Sequence, residues 1–298
     1  MFFNKASKFF NKNIEHIFIL PTIIFIILMV AFPLLYTVRL SFSSWQMGMG
    51  ESIDFVGLQN YIHFFQNDRF RNAFFFTIRY TLVAVSLQTV LGVAIALLVG
   101  KIKFKTNFIR TIFLLPMVAT PVVVGILWRL MYEPTIGIFN MALGAFGVDP
   151  QPWLGSSSTV FMSLIIMDVW QWTPMIMLIV LAGMSGLSED VFESARIDGA
   201  NEAQIIMRVT IPLLLPTILM AVLLRLIDSL RTFDQIFSTT QGGPGFASEN
   251  LNILTYRYAF EHFQMGEASA LLMIFFTLVL SFTLVYTLIK NRIERIYN

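Results

Sequence analysis

The sequence predicts an all-α polytopic membrane protein with six transmembrane helices. Three observations predict it. The 298 residues are 56% hydrophobic and only 13% charged, about half the charged share of a soluble globular domain. Six windows are apolar over the ~20 residues that a helix needs to cross the hydrocarbon layer: 17–38, 73–99, 109–131, 159–184, 212–236 and 268–290. Finally, the basic residues are segregated. Twelve of the 20 Lys and Arg sit on one side: Lys5, Lys8 and Lys12; Lys101, Lys103, Lys105 and Arg110; Arg196 and Arg208; Lys290, Arg292 and Arg295. Residues 132–158 contain none. Cytoplasmic connections carry the basic excess, so both termini are expected inside.

In chain order, residues 1–16 form a cytoplasmic tail and 17–40 the first span. Its apolar run is longer than a signal-peptide h-region, with no small-x-small cleavage site at the right place, so it reads as uncleaved. Residues 41–72 form an external loop. Residues 73–290 form the core, with a polar cytoplasmic connection at 186–211, and 291–298 a cytoplasmic tail. Cysteine is absent, which excludes disulfides, thiolate metal sites and thiol catalysis. His16, His63 and His262 lie far apart near span ends and read as interfacial residues rather than ligands. A net charge of +2 is too small for a nucleic-acid surface.

The connection between the fourth and fifth spans has helical spacing. Ser188 is placed to cap a helix whose first turn carries Glu189 and Asp190. Leu187, Val191, Phe192, Ala195 and Gly199 then make one apolar stripe. Asp198-Gly199 is a chain break, Asn201 caps a second short helix, and Pro212 suits the start of the next span. The expected product is a helix–turn–helix on the cytoplasmic surface.

These residues also match a family pattern. Glu193-Ser194-Ala195-Arg196-Ile197-Asp198-Gly199-Ala200, followed by Ile211-Pro212-Leu213 and Pro216, resembles the EAA signature of permease subunits of ABC importers. Ser194 stands for the first alanine of that signature, and Ile211-Pro212 departs mildly at its end. "FVGLQNY" (Phe55 to Tyr61), "RTIFLLPMVATPVVVGILWRLMY" (Arg110 to Tyr132) and "QGGPG" (Gln241 to Gly245) are similar to the carbohydrate-uptake branch, on its MalF/UgpA-like side. The resemblance implies a MetI-like type I importer fold in a bacterial or archaeal cytoplasmic (inner) membrane. It implies a MalG/UgpE-like second permease, an ATPase dimer, an extracytoplasmic solute-binding protein and a sugar-like cargo. It also assigns coupling to the ATPase to Glu193, Ser194, Ala195, Asp198 and Gly199. The chain has no GxxxxGK[ST] phosphate loop, so it is expected to be no enzyme and to hold no cofactor, with ATP and Mg bound by the partner ATPase.

Ionisable groups inside a span are costly, which makes each a functional candidate. In the fifth window Arg225, Asp228, Arg231 and Asp234 recur every three residues with alternating sign, a spacing that allows pairing along one helix. One reading is a self-neutralising stripe against neighbouring helices; the sharper one is a polar wall that donates to and accepts from sugar hydroxyls. In the fourth window "DVWQWTP", Asp168 to Pro174, offers aromatic faces, a hydrogen-bonding amide and a helix-opening proline. The alternative for its tryptophans is an interfacial belt. The family resemblance places sugar contacts on Arg225, Asp228, Ser229 and Thr232, and on Trp170, Gln171, Trp172 and Met175. The best-known maltose member has glycine at the position of Trp172, which implies a smaller or differently shaped cavity here. Arg79, Gln88 and Arg129 are candidate partners for Asp168 or for a partner subunit, and Trp128-Arg129 reads equally as a snorkelling anchor near an outer boundary. The competing reading is an ion-gradient-driven secondary transporter using Asp168, Asp228 or Asp234 as a relay. An internal repeat of span pattern, its expected mark, is not found between residues 17–131 and 159–290.

Overall fold

The computed structural model describes residues 18–48, 53–100 and 106–297. Lys5, Lys8, Lys12, Lys101, Lys103 and Lys105 of the orientation argument, and His16, lie outside them. The chain divides into two compact units: residues up to Gln66 with Thr255–Phe275, and Asn67–Leu254 with the chain from Phe276 onward.

The first unit opens with α1 (Phe18–Ser41), whose apolar window has no buried residue. At 1.5 Å per residue its 24 residues span about 36 Å, enough to cross the hydrocarbon layer. A two-residue antiparallel pair, β1 (Ser43–Ser44) and β2 (Asp54–Phe55), leads into α2 (Gln59–Gln66). The "FVGLQNY" residues are the fastening. Gly57 makes the turn at φ +60°. The Asn60 amide then donates to the carbonyls of Ser41 and Ser43 at 2.9 and 3.0 Å, and the Tyr61 hydroxyl bonds the Ser41 Oγ at 2.7 Å.

The second unit contains α3 (Asp68–Gly100), α4 (Thr106–Val118), α5 (Pro121–Met131), α6 (Ile138–Ala145), α7 (Val160–Met184), α8 (Glu189–Ile197), α9 (Glu202–Leu230) and α10 (Asp234–Thr240). A short α11 (Leu251–Tyr256) follows, and α12 (Met265–Tyr297) closes the chain. The most extensive packing is α3 on α7. Gly92 makes it possible: a Cβ there would stand 2.9 Å from the Ile176 Cβ and 3.1 Å from the Met177 backbone nitrogen. Lipid tails are as apolar as the side chains, so helix association in a membrane rests on such close van der Waals packing. Gly92→Val is therefore expected to cost about 1–3 kcal/mol, read as a lower midpoint of thermal unfolding of the permease in mild detergent.

Two spans differ from expectation. The third, expected unbroken over 109–131, is two helices meeting at 98°. The cause is local. Pro121 forces Thr120 out of the helical region, to φ −65° and ψ 143°, as a residue before proline must be. The Ala119 carbonyl released by the break accepts 3.0 Å from Gln171 Nε2 on α7, which meets the demand for backbone satisfaction inside a membrane.

The fifth, expected from Pro212 to 236, begins instead at Glu202 and ends at Leu230. It widens over Ile206–Thr210, where the Ile211 N–H donates to the Ile206 carbonyl one residue further back than in a regular helix. That widening takes up Pro212, which has no N–H and would otherwise crowd the carbonyl four residues earlier.

The expected helix–turn–helix is present. Ser188 caps α8 by accepting from the Asp190 N–H, Gly199 makes the turn at φ +82°, and Asn201 caps α9 in a capping box with Gln204 at 2.8 and 2.9 Å. No residue of α8 is buried. Asn201→Ala is expected to cost about 1 kcal/mol of local stability. Faster amide exchange over residues 202–205, with the rest of α9 unchanged, is the readout.

Candidate functional site

The site lies where α9 stops. Past Leu230 the chain turns at Arg231, whose N–H bonds back to the Asp228 carbonyl at 3.1 Å, and restarts as α10 at Asp234. Around this break a cavity of about 200 Å³ is lined by Pro121, Trp172, Arg225, Asp228, Arg231, Thr232, Phe233, Asp234 and Gln235. Pro121 and Trp172 enter it because α5 starts at the break in the third span and α7 runs alongside.

Arg225 is 1% exposed and Asp168 0%. The Arg225 Nη2 donates to both Asp168 carboxylate oxygens at 2.9 and 2.8 Å, and its Nε to Gln88 Oε1 at 2.8 Å. Gln88 Nε2 closes the triangle on Asp168 Oδ2 at 2.7 Å and on its carbonyl at 3.1 Å. Three residues thus bind α3, α7 and α9 with every charge met, as a buried pair requires. The guanidinium also stands 5.0 Å from the centre of the Trp172 ring, within cation–π range. The pairing expected along one helix does not form. Asp228, Arg231 and Asp234 are exposed and make no ion pair or side-chain hydrogen bond among the described residues. The helix ends too soon to align them, and Arg225 finds a desolvated carboxylate on α7 instead. Of the three candidate partners of Asp168, Gln88 binds it, Arg79 lies 4.5 Å over the Phe161 ring and Arg129 is exposed.

Of the eight expected cargo-contacting residues, Trp172, Arg225, Asp228 and Thr232 line this cavity together. Ser229 is buried with its hydroxyl unpartnered. It shares the face of Arg225 one turn on, turned toward the helix packing. Gln171 is buried and structural, donating to the Ala119 carbonyl and accepting from Gln235 Nε2 at 2.8 Å. Trp170, 42% exposed, sits on another face of α7 against Trp128, 5.5 Å between ring centres. It lines a separate apolar pocket with Leu91, Ile112, Phe113 and Pro116 among others. Met175 is half-buried and lines neither pocket.

Residues 249–252 are the part that sequence reasoning missed. Asn252 Nδ2 donates to the Leu230 carbonyl at 3.0 Å, and Asn250 Nδ2 to that of Thr232, so two side-chain amides satisfy orphan carbonyls at the end of α9. Buried Glu249 is gripped by Arg69 through two 2.7 Å bonds, and the Leu251 N–H bonds Thr77 Oγ1 at 3.0 Å. The loop after Gln241–Gly245 therefore holds the cavity wall to α3. In sequence Ser248-Glu249-Asn250 reads as an ordinary polar connector, and its burial is visible only in the fold.

A family model described as "Binding-protein-dependent transport system inner membrane component" matches residues 88–295. The chain belongs to this family. It is a membrane permease component, not an enzyme. The probable ABC transporter permease y4oQ of Sinorhizobium fredii is 38% identical over 92% of this chain and 89% of that protein. The trehalose/maltose transport system permease MalF of Thermococcus litoralis is 35% identical over 94% of both. A bacterial ABC transporter involved in the import of the acidic polysaccharide alginate matches with a TM-score of 0.83 at 21% identity, over 97% of this chain and 99% of that one. The methionine ABC transporter MetNI matches with a TM-score of 0.52 at 17% identity, over 75% and 94%. At such identities the structures establish the MetI-like permease fold alone.

Proposed function

We propose that this permease is the MalF-like membrane subunit of an ATP-driven importer for a sugar or sugar derivative, with its cargo site at the broken end of α9. The single observation that supports the site is convergence. Trp172 from α7, Arg225 and Asp228 from α9, and Thr232 beyond its end line one cavity, combining an aromatic face with hydrogen-bond donors and acceptors. The cavity's roughly 200 Å³ falls below the about 300–1,000 Å³ of a whole ligand site. A second, homologous permease supplying the other half of the pathway accounts for the difference. Relatives named for trehalose and maltose and for multiple sugars support the cargo class.

In this reading the first helix (17–40), the external loop (41–72) and the core (73–290) follow the expected order, with both termini cytoplasmic. ATP and Mg bind a partner ATPase dimer. That dimer grips the loop at 186–211 through Glu193, Ser194, Ala195, Asp198 and Gly199, and a solute-binding protein delivers cargo from outside. Closure of the ATPase pushes α8, the bundle opens outward, and the cavity receives the cargo; nucleotide release reverses the tilt. The ion-coupled alternative is disfavoured because Asp168, its best-buried relay, is held bidentate by Arg225.

The test is ATPase stimulation of the reconstituted complex by the loaded binding protein across a sugar panel. Trp172→Ala and Asp228→Ala are each expected to abolish the stimulation or change its cargo preference. Unchanged stimulation in both would remove this cavity from the cargo path. Uphill transport by the purified chain alone, without nucleotide, would overturn the importer reading itself.

A further inference from the structure

We infer that the cavity at the end of α9 presents net negative charge and admits uncharged sugars while rejecting acidic ones. The inference rests on the cavity being the cargo site. By sequence, Arg225 and Arg231 balance Asp228 and Asp234, and no preference follows. The fold removes one of the four. Arg225 is fully buried and gives both its carboxylate-facing bonds to Asp168, which does not line the cavity. Its charge is neutralised before any cargo arrives, and its remaining named bond goes to Gln88. What faces the cavity is then Asp228, Arg231 and Asp234, all exposed and without side-chain partners among the described residues. Two carboxylates against one guanidinium leave one excess negative charge.

The hydrogen-bonding character points the same way. Ionised carboxylates only accept, and sugar hydroxyls can donate to both Asp228 and Asp234. A cargo carboxylate can only accept, so it would meet two repelling carboxylates for one charged donor, Arg231. One face of the Trp172 ring is under the Arg225 guanidinium, so that cation serves the ring rather than the cargo. Thr232 adds a neutral hydroxyl suited to sugar hydroxyls of either role, whereas Gln235 Nε2 is already given to Gln171 Oε1 at 2.8 Å.

The chain has no cysteine, which allows the field to be read without knowing the cargo. Thr232→Cys in the assembled complex places on this chain a single thiol inside the cavity. Its rates with a trimethylammonium- and a sulfonate-bearing methanethiosulfonate are measured, each divided by the rate with a free thiol. A cleft of one sign raises local counter-ion concentration by about 10–10³-fold, so the cationic reagent is expected to lead by about tenfold. The lead should shrink in high salt and reverse when Asp228→Asn and Asp234→Asn are added, since Arg231 then faces the cavity alone. Equal rates, or a faster sulfonate, with both aspartates in place overturn the inference.

A second arm compares uptake of trehalose and maltose with that of a glucuronate-bearing disaccharide. Acidic uptake matching the neutral sugars also overturns it. The two readings fail separately. A cation-preferring thiol beside sugar-stimulated ATPase that ignores Trp172→Ala keeps the charge and displaces the site, whereas an unbiased thiol beside Trp172-dependent uptake does the reverse.

Discussion

Asp168→Ala is expected to cost about 3–5 kcal/mol, the penalty for leaving one member of a buried ion pair uncompensated. Stabilities of folded proteins are about 5–15 kcal/mol, so little or no folded permease should survive extraction in mild detergent. Arg225 has no route to water at 1% exposure, and its guanidinium holds two bonds to Asp168 and one to Gln88. Without the carboxylate, the charge stays buried between α3, α7 and α9. Asp168→Asn keeps the shape but loses the charge, and should fall between wild type and alanine. The double change Asp168→Leu with Arg225→Met removes both charges together. Replacing a buried pair with packed apolar groups is often neutral or stabilising, so the double variant should recover most of the stability lost by either single one. A double variant as damaged as the sum of the singles would show that the pair is not coupled. Trp172 lies beside the guanidinium, so the double variant should still lower cargo-dependent ATPase while stability returns.

The second large effect concerns α8. Ser194→Trp is expected to leave this chain folded, because Ser194 is exposed and no residue of α8 is buried. Cargo-driven ATPase and uptake should nevertheless fall by more than about tenfold, a loss that needs only about 1.4 kcal/mol at the proposed contact with a partner ATPase. The reason is steric. Ser194, Ala195, Gly199 and Ala200 are small residues through which a partner surface can approach closely, and an indole among them props that surface away. The decisive measurements are the unfolding midpoint of the purified permease, which should not move, and recovery of the ATPase subunits with it, which should drop. Full uptake with a tryptophan at this position would place the ATPase contact elsewhere.

Much of the architecture could be read directly. The apolar windows and the capping residues Ser188 and Asn201 act through local composition and short-range hydrogen bonds. The break in the third span was also legible, since Pro121 acts on Thr120 alone, but an apolar run of ordinary length concealed it. The site was half legible. A three-residue spacing brought Arg225, Asp228, Arg231 and Asp234 to attention, yet suggested partners along one helix. "DVWQWTP" marked the right turn of α7 without telling which tryptophan faces the cavity. Trp170 and Trp172 are two residues apart, and on a helix of 3.6 residues per turn that separation puts them on different faces.

By itself the sequence determined the membrane character of this permease, the apolar segments along its chain, the capped helix pair between the fourth and fifth of them and the residue types available for a polar site. Only the tertiary structure decided that Arg225 is spent on Asp168 and Gln88, that Trp172 rather than Trp170 lines the cavity, and that Asn250 and Asn252 hold the end of α9. Those decisions rest on contacts between residues 18 to 137 positions apart. Local spacing prescribes which side chains share a helix face, but not which neighbouring helix that face will meet.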